Sequence, residues 1–256
     1  PSEGELGLSQ LAAGKKIDPA KIHKNRKKMT AAIAEGLADQ LWATYEKIEE
    51  ALGERDCDFK SRGMRSLKNL CLFYLSKVEP ETVTPIAAAA VSGSRNLTDK
   101  IAGLSVLVDG DSKAKDKMLK HFAKLFKGKP TILDNWLAIQ AGAHRDDALK
   151  AVKALMKHKA FDLNNPNRVS ALLGSFMRNT CGFHGEDGSG YKFIASMIVR
   201  VDRINPQAAA RLAKAFLRWR DYTPKYRKMM KAAIEPLAGK KLSANVKEVV
   251  TKALKG

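Results

Sequence analysis

Several prolines in this chain directly follow a residue that can cap an α-helix, and these pairs limit what the chain can fold into. A cap residue such as Asn, Asp or Thr accepts a hydrogen bond from a backbone N–H of the first turn. Proline suits the first helical position because its missing N–H would have no partner there. The pairs are Asp18-Pro19, Asn165-Pro166, Asn205-Pro206 and Thr223-Pro224. Each pair predicts the first turn of a helix.

The spacing of apolar residues also predicts helices. From Pro19 to Ile48, apolar side chains recur mostly at three- or four-residue steps, which indicates one long amphipathic helix that ends at Gly53. Similar spacing elsewhere predicts about twelve helices. No segment has the alternating, β-branched pattern of a strand. The predicted fold class is therefore all-α.

Short polar turns separate these helices, so neighbours in sequence should pack as antiparallel pairs. A pair then takes about 35–45 residues, the period of HEAT and armadillo repeats. We expect an α-solenoid, a HEAT/armadillo-like superhelix, with a compact helical array as the alternative because no sequence repeat is visible. Residues 1–16, rich in glycine, are predicted to be an arm or interdomain linker, and residues 17–256 the solenoid domain.

The net charge is the unusual feature of the composition. The 256 residues include 46 Lys and Arg but 27 Asp and Glu, a net charge of +19. This excess favours polyanionic partners, namely nucleic acid, an acidic protein or an anionic membrane surface, although a solvated lysine-rich surface explains it equally well. No apolar run reaches the roughly 18 residues that a transmembrane helix needs.

The cysteines and the N-terminus bear on where the protein works. Cys57, Cys71 and Cys181 cannot all pair with one another and show no Cys-x-x-Cys spacing, which predicts a reducing intracellular compartment, the cytoplasm or an organelle matrix. The first residues lack the basic and apolar regions of a secretory signal. Because the chain does not begin with Met, we expect it to be cleaved, trimmed or truncated.

No local motif supports a complete active site. A zinc hydrolase motif places two histidines one helical turn apart, and none of the 5 histidines has another four residues away. His184 begins a His-x-Glu sequence but lacks the cysteine motif of the zinc deaminases, so we expect it to make a hydrogen bond that fixes its loop. We therefore predict no catalytic residue and no metal ligand in this chain.

Gln207 and Arg211 are the strongest candidates for binding. They are four residues apart near the start of one predicted helix, so they share a face close to the positive end of the helix dipole. Such a face can hold a carboxylate or a peptide carbonyl, with the guanidinium forked onto it. An exposed polar stripe without a ligand is the alternative. Arg168 is a third candidate, because the dipole disfavours a cation in its first turn and favours a compensating partner.

Three sequence motifs, in matching order and spacing, resemble the C-terminal domain of the bacterial-type aminopeptidase N (alanyl aminopeptidase) family. They are NPNR at 165–168, FHGEDGSGY at 183–191 and NPQAAAR at 205–211. The segment DNWLAIQA at 134–141 and the tripeptide that begins at Ile17 also look like this family. The resemblance therefore runs from about Ile17 to Lys255.

The resemblance implies part of a zinc exopeptidase. In this family a terminal helical solenoid caps the active site and limits access to a peptide chamber, while a preceding catalytic domain supplies the zinc ligands and the glutamate base. By matching motif position, Gln207 and Arg211 would contact the peptide downstream of the scissile bond, and Arg168 would line the same cavity. This chain would hold no cofactor itself, and its partners would be the catalytic domain and the peptide.

The missing catalytic residues and the positive charge leave a second hypothesis open. The same solenoid could act without a protease, as a basic scaffold or nucleic-acid-binding subunit of a larger assembly. The presence of Gln207 and Arg211 favours the peptidase hypothesis, whereas the net charge favours the scaffold.

Overall fold

The computed structural model describes residues 1–53 and 58–255, and it confirms the predicted all-α class. The helices are α1 (Glu3–Ala12), α2 (Pro19–Gly36), α3 (Ala38–Ala51), α4 (Phe59–Leu75), α5 (Pro80–Gly93), α6 (Leu97–Asp109), α7 (Lys115–Leu125), α8 (Pro130–Gly142), α9 (Ala148–Leu155), α10 (Pro166–Val169), α11 (Ser175–Met177), α12 (Thr180–Phe183), α13 (Ser189–Asp202), α14 (Pro206–Ala213), α15 (Pro224–Ile234) and α16 (Ala244–Lys255). A π-helical turn, Ser170–Gly174, joins α10 to α11. None of the described residues lies in a β-strand, and extended pairing is limited to a β-bridge between Ile17 and Tyr222. None of the described helices combines the length and the apolar character needed to cross a membrane.

The predicted proline starts are confirmed. Pro19, Pro166, Pro206 and Pro224 are each the first residue of a helix. The side chain of Asn205 accepts a hydrogen bond from the backbone N–H of Ala208 at 2.9 Å. Asp18 and Asn165 cap their helices in the same way, whereas the side chain of Thr223 makes no cap hydrogen bond, so that helix start rests on its proline.

Two regions differ from the sequence prediction. The long helix expected between Pro19 and Gly53 is broken at Leu37, whose φ of -123° and ψ of 15° are not helical. Gly36, directly before the break, has the low helix propensity that favours such an end. The predicted arm contains α1, which a capping box of Ser2 and Glu5 begins. The boundary between residues 16 and 17 stays a prediction, and Cys57 lies outside the described residues.

The chain forms two compact units. Unit 1 comprises Pro1–Lys24 and His144–Gly256, and unit 2 comprises Asn25–Ala143. The predicted binding residues therefore all belong to unit 1.

Unit 2 contains helix pairs. α3 packs on α4 and α5 on α6, while α6 also contacts α4 and α8. The α5–α6 pair is antiparallel, because Lys100 Nζ, early in α6, donates to the carbonyl of Val91, late in α5, at 2.8 Å, and Thr84 Oγ1, early in α5, lies 3.4 Å from Ser112 Oγ, just after α6. Gly103 lets these two backbones approach closely, since a Cβ there would lie 2.5 Å from the carbonyl oxygen of Ala87. The helices α4, α5 and α6 each contact a helix outside their own pair as well as their pair partner, as in helical repeats.

Unit 1 packs around α13. This helix contacts α14 and α15, and α14 contacts α16 in turn. Tyr191 and Ile194 of α13 are fully buried, as is Phe216 after α14. The indole Nε1 of Trp219 donates to the carbonyl of Ala253 at 2.8 Å, which ties α16 to the turn that follows α14. The buried face of α14 therefore packs on α13 and α16, and its opposite face is exposed.

A buried group of charges joins three helices of unit 2. The carboxylate of Asp99, in α6, accepts hydrogen bonds from Lys68 Nζ at 3.3 Å and from Asn69 Nδ2 at 2.9 Å, and lies 3.5 Å from Arg65 Nε. The side chains of Arg65, Lys68 and Asp99 are at most 10% exposed. Glu49 of α3 adds a second carboxylate, 2.6 Å from Lys68 Nζ. Asp99 therefore compensates the two cations where water is largely excluded, whereas the side chain of Glu49 is 56% exposed.

Candidate functional site

Gln207 and Arg211 lie on the exposed face of α14. Both side chains are exposed, whereas Ala208, Ala209 and Leu212 are buried on the opposite face. Gln207 is the second residue of the helix, where backbone N–H groups without helical partners and the dipole favour an anion. A carboxamide and a guanidinium one turn apart form a polar face that can receive a carboxylate or a carbonyl.

Arg168 has a different environment. It lies in α10 and is only 8% exposed. Asn165 caps this helix, because its Oδ1 accepts from the backbone N–H of Asn167 at 2.9 Å and of Arg168 at 3.3 Å. The π-helical turn that continues α10 contacts α14. Arg168 therefore belongs to a helix that adjoins α14, but its guanidinium is not on the exposed face of α14.

The polar loop that leads into α13 is fixed by short-range hydrogen bonds. His184 Nδ1 lies 2.6 Å from Tyr191 Oη, which confirms the predicted loop-fixing hydrogen bond of His184. Asp187 Oδ1 accepts from the backbone N–H of Ser189 at 2.9 Å. Gly188 has a φ of 69°, in the left-handed region that favours glycine. The loop has the features of a connector that positions α13.

The imidazole of His184 sits among aromatic rings. The ring centroids of Phe183 and Tyr222 lie 4.9 and 5.1 Å from its own. Burial lowers the pKa of His184 to about 4, and the charge of Glu3 opposes this shift without cancelling it. Burial also raises the pKa of Tyr222. His184 is consequently a neutral imidazole at neutral pH.

A second polar cluster joins three parts of unit 1 that are distant in sequence. Glu3 in α1, His23 in α2 and His144 before α9 each place one possible ligand atom within 4.8 Å of the others. Glu3 Oε1 lies 2.7 Å from His23 Nδ1. The two histidine rings stack, with centroids 5.0 Å apart and 27° between their planes. Glu3 and His23 are half-buried, whereas His144 is exposed.

The other polar atoms of Glu3 and His23 have partners of their own. Thr180 Oγ1 donates to Glu3 Oε2, and Cys181 Sγ lies 3.5 Å from His23 Nε2. The contacts with Cys181 and Glu3 raise the pKa of His23 to about 10 against the effect of burial. Burial alone would raise the pKa of Glu3, but hydrogen bonds from His23 and Thr180 outweigh it and lower that pKa. An imidazolium therefore lies beside a carboxylate at neutral pH.

Sequence patterns did not reveal this cluster. Its members come from separate helices and share no motif spacing, so only the fold brings them together. His23 lies in the first turns of α2. Without a second ligand four residues away, it carried no signature of a metal site.

The packed helix pairs are those of an all-α helical-repeat protein. The polar face of α14 is its candidate binding surface. The chain belongs to the protein family described as "Domain of unknown function (DUF3458_C) ARM repeats", whose model matches residues 1–255. The ARM-repeat description confirms the predicted all-α, solenoid class.

The relatives of the chain are aminopeptidases. Aminopeptidase N of Caulobacter vibrioides is 36% identical over 256 residues, which are 99% of this chain and 29% of that protein. Aminopeptidase N of Escherichia coli (strain K12) is 32% identical over 240 residues, 93% of this chain and 27% of that protein. The crystal structure of Legionella pneumophila aminopeptidase A in complex with aspartic acid has a TM-score of 0.89 and 33% identity, and the match covers 99% of this chain and 30% of that one. The resemblance of the sequence motifs to the aminopeptidase N family is thereby confirmed, and the chain spans less than a third of the length of each of these relatives.

Proposed function

We propose that this chain is the C-terminal helical domain of a zinc aminopeptidase, where it caps and lines the chamber through which peptides reach the active site. The observation that supports this proposal is the similarity of nearly the whole chain to part of aminopeptidases N and A, together with the match of residues 1–255 to an ARM-repeat family. Stacked helices suit the role because they form an extended surface that can line a chamber, while a separate buried core keeps the domain folded. The partners are then the catalytic domain and the peptide.

The catalytic zinc of such an enzyme would be held outside this chain. None of the 5 histidines has another four residues away, so the paired ligands of a zinc hydrolase helix do not occur in this sequence. The chain is therefore proposed to be non-catalytic alone and to hold no catalytic cofactor. Its part in the reaction is to admit and bind the peptide, and the chemistry is left to the catalytic domain.

Gln207 and Arg211 are proposed to contact the peptide downstream of the scissile bond. The guanidinium of Arg211 can donate two parallel hydrogen bonds to a carboxylate, and the carboxamide of Gln207 can donate to a carbonyl one helical turn away. The dipole at the start of α14 favours an anion beside Gln207 only, because Arg211 lies in the last turn of this eight-residue helix and not near its start as the sequence predicted. Arg168 is proposed to line the same cavity, and its exposure of 8% leads us to expect a smaller contribution.

Replacing Arg211 with Ala tests this assignment in a polypeptide that carries both this chain and its catalytic domain. A lost hydrogen bond to a charged group, at about 1.5–3 kcal/mol, should lower kcat/KM for tripeptides by roughly 10- to 100-fold. A chromogenic amide of a single amino acid has no residue downstream of the scissile bond, so its kcat/KM should change by less than about twofold. The conservative Arg211→Lys variant should retain part of the activity on peptides, because it keeps the charge but loses the fork.

Arg203→Ala is the matched control. Arg203 is also an exposed arginine of unit 1 and directly follows α13. Its replacement should leave kcat/KM unchanged for both the tripeptide and the chromogenic amide. An unchanged kcat/KM for tripeptides in Arg211→Ala would contradict the peptide contact. An equal loss for tripeptide and chromogenic substrate would contradict it too, because the downstream residues would then not matter. Hydrolysis of peptides by the purified chain alone would contradict the non-catalytic role.

The net charge of +19 favours a second candidate function, a basic scaffold that binds nucleic acid without a peptidase. The first half of α2 carries four exposed lysines, namely Lys21, Lys24, Lys27 and Lys28. Binding through phosphate contacts releases counterions, so affinity for a single-stranded RNA should fall steeply between about 50 and 200 mM salt. Fluorescence anisotropy measures this dependence. Lack of binding at the lower salt concentration would rule this function out.

We infer that the protein works in a reducing intracellular compartment, the cytoplasm or an organelle matrix. Cys71 is buried and Cys181 is half-buried, and both are free thiols. Free thiols persist where glutathione and thioredoxin keep them reduced. Thiol labelling in intact cells should therefore modify Cys181 without added reductant, and a Cys181 already oxidised in cells would contradict this inference.

A further inference from the structure

The Glu3, His23 and His144 cluster has the chemistry of a metal site. Its donor atoms are one carboxylate oxygen and two imidazole nitrogens, all within 4.8 Å of one another. Such a set suits Zn²⁺ and related transition ions, whereas Mg²⁺ and Ca²⁺ prefer sites made of oxygen atoms. Each donor comes from a different segment of unit 1, so the fold and not a local motif assembles the set.

The distances are close to those that a zinc ion requires. Zinc binds imidazole nitrogen and carboxylate oxygen at about 2.0–2.2 Å, so tetrahedral ligand atoms are about 3.3 Å apart. Glu3 Oε1 and His23 Nδ1, at 2.7 Å, need to separate slightly. His144 is exposed and stacks on His23, so a rotation of its ring would bring one of its nitrogens to the ion. Small side-chain rotations, together with release of one proton from the His23 imidazolium, therefore convert the cluster into a three-ligand site.

The surrounding hydrogen bonds already orient two of the three side chains. Metal-binding histidines usually donate their second ring N–H to a neighbouring acceptor, which fixes the ring. Here Nδ1 of His23 faces Glu3, while Nε2 faces Cys181 Sγ at 3.5 Å. The carboxylate of Glu3 is held in the same way, because Thr180 donates to its other oxygen. Both donors are therefore oriented before any ion binds.

We propose that Glu3, His23 and His144 bind one Zn²⁺ ion, with a fourth coordination position open to solvent. The ion would link the start of α1 to α2 and to the segment before α9. Exposure of His144 gives the ion a path from solvent. Because the linked segments are distant in sequence, we expect the bound ion to stabilise unit 1. This inference does not depend on the proposed peptidase function.

Zinc titration of the chelator-treated chain, without an added histidine tag, tests the site. Isothermal titration calorimetry with ZnCl₂ should show saturable binding of about one ion per chain. His144→Gln and Glu3→Gln should each weaken this binding by roughly 10- to 100-fold, since loss of a ligand should cost at least as much as loss of an outer-shell partner. At the same concentration, ZnCl₂ should raise the Tm of the unsubstituted chain more than that of His144→Gln, because stabilisation falls as binding weakens.

His158→Gln is the matched control, because His158 is a half-buried histidine of unit 1 outside the cluster. It should bind zinc like the unsubstituted chain. Failure to bind zinc, or binding that His144→Gln leaves unchanged, would overturn the proposal. So would an equal loss in His158→Gln. Substitution with Co²⁺ checks the ligand set, because a thiolate-to-cobalt charge-transfer band would show Cys181 as a ligand and refute the set proposed. Circular dichroism verifies that each variant is folded, and the exposed His144 is the substitution least able to disturb folding.

Discussion

Mild acid should destabilise unit 1 through the buried imidazole of His184. Its pKa in the folded protein is about 4, against an ordinary value of 6.5, because burial disfavours the charged ring. Between these two pH values the unfolded chain takes up a proton at this position and the folded chain does not. The free energy of unfolding must therefore fall as the pH is lowered through this interval.

The pKa difference sets the magnitude. The pKa of His184 falls from 6.5 in the unfolded chain to about 4 in the folded protein. At roughly 1.4 kcal/mol per pKa unit, this difference lowers the free energy of unfolding by about 3 kcal/mol in acid. This contribution is fully present above pH 6.5 and lost below about pH 4. Protonation would also disturb the 2.6 Å contact between Nδ1 and Tyr191 Oη, in which a neutral ring can accept. Replacing His184 with a side chain that binds no proton should therefore remove this part of the acid destabilisation.

The contribution of His184 can be measured by urea unfolding of the unsubstituted chain and of His184→Gln at several pH values. The glutamine keeps a polar group for Tyr191 but binds no proton in this range. The variant starts from lower stability at pH 7, and its free energy of unfolding should fall by about 3 kcal/mol less between pH 6.5 and 4. Parallel pH profiles would refute the reasoning, and so would an NMR titration that gives His184 a pKa near 6.5.

Two further predictions concern packing in unit 2. Gly103→Ala should lower the free energy of unfolding by about 1–3 kcal/mol, because the new Cβ would lie 2.5 Å from the carbonyl oxygen of Ala87. Gly63→Ala is its control and should raise stability by about 0.5–1 kcal/mol, since nothing lies within 4 Å of a Cβ in that exposed part of α4; equal effects in urea unfolding would contradict the close approach. Asp99→Ala should cost about 3–5 kcal/mol, because it removes the buried carboxylate beside Arg65 and leaves Lys68 with the carboxylate of Glu49 alone, and a cost below 1 kcal/mol would show that this charge group is hydrated.

The helix starts could be predicted because their causes are local. The cap and the proline of Asn205-Pro206 act on the next few residues, and the same chemistry works wherever the pair stands. The hydrogen bond of His184 was predicted for a similar reason, since its loop is short and its partner is only a few residues away.

The break in the long N-terminal helix could not be predicted from periodicity. Ile33, Leu37 and Leu41 continue the apolar spacing across the break, so the pattern is that of a single helix. In the structure this apolar stripe is not buried, because Ile33 and Leu37 are 37% and 46% exposed, so periodicity alone gives no sign of where the helix ends. The assembly of Glu3, His23 and His144 was inaccessible for a stronger reason. Its three members meet only when α1, α2 and the segment before α9 are already packed.

The packing of α14 decides how cleanly the proposed peptide contact can be tested. The buried face of this helix consists of small and aliphatic side chains that contact α13 and α16, so its stability does not depend on the opposite face. Exposed substitutions outside such packing usually change stability by less than about 0.5 kcal/mol. A loss of peptide turnover in Arg211→Ala would therefore report binding and not unfolding. Arg168 offers no such test, because its guanidinium is buried and its removal would disturb the fold and the cavity together.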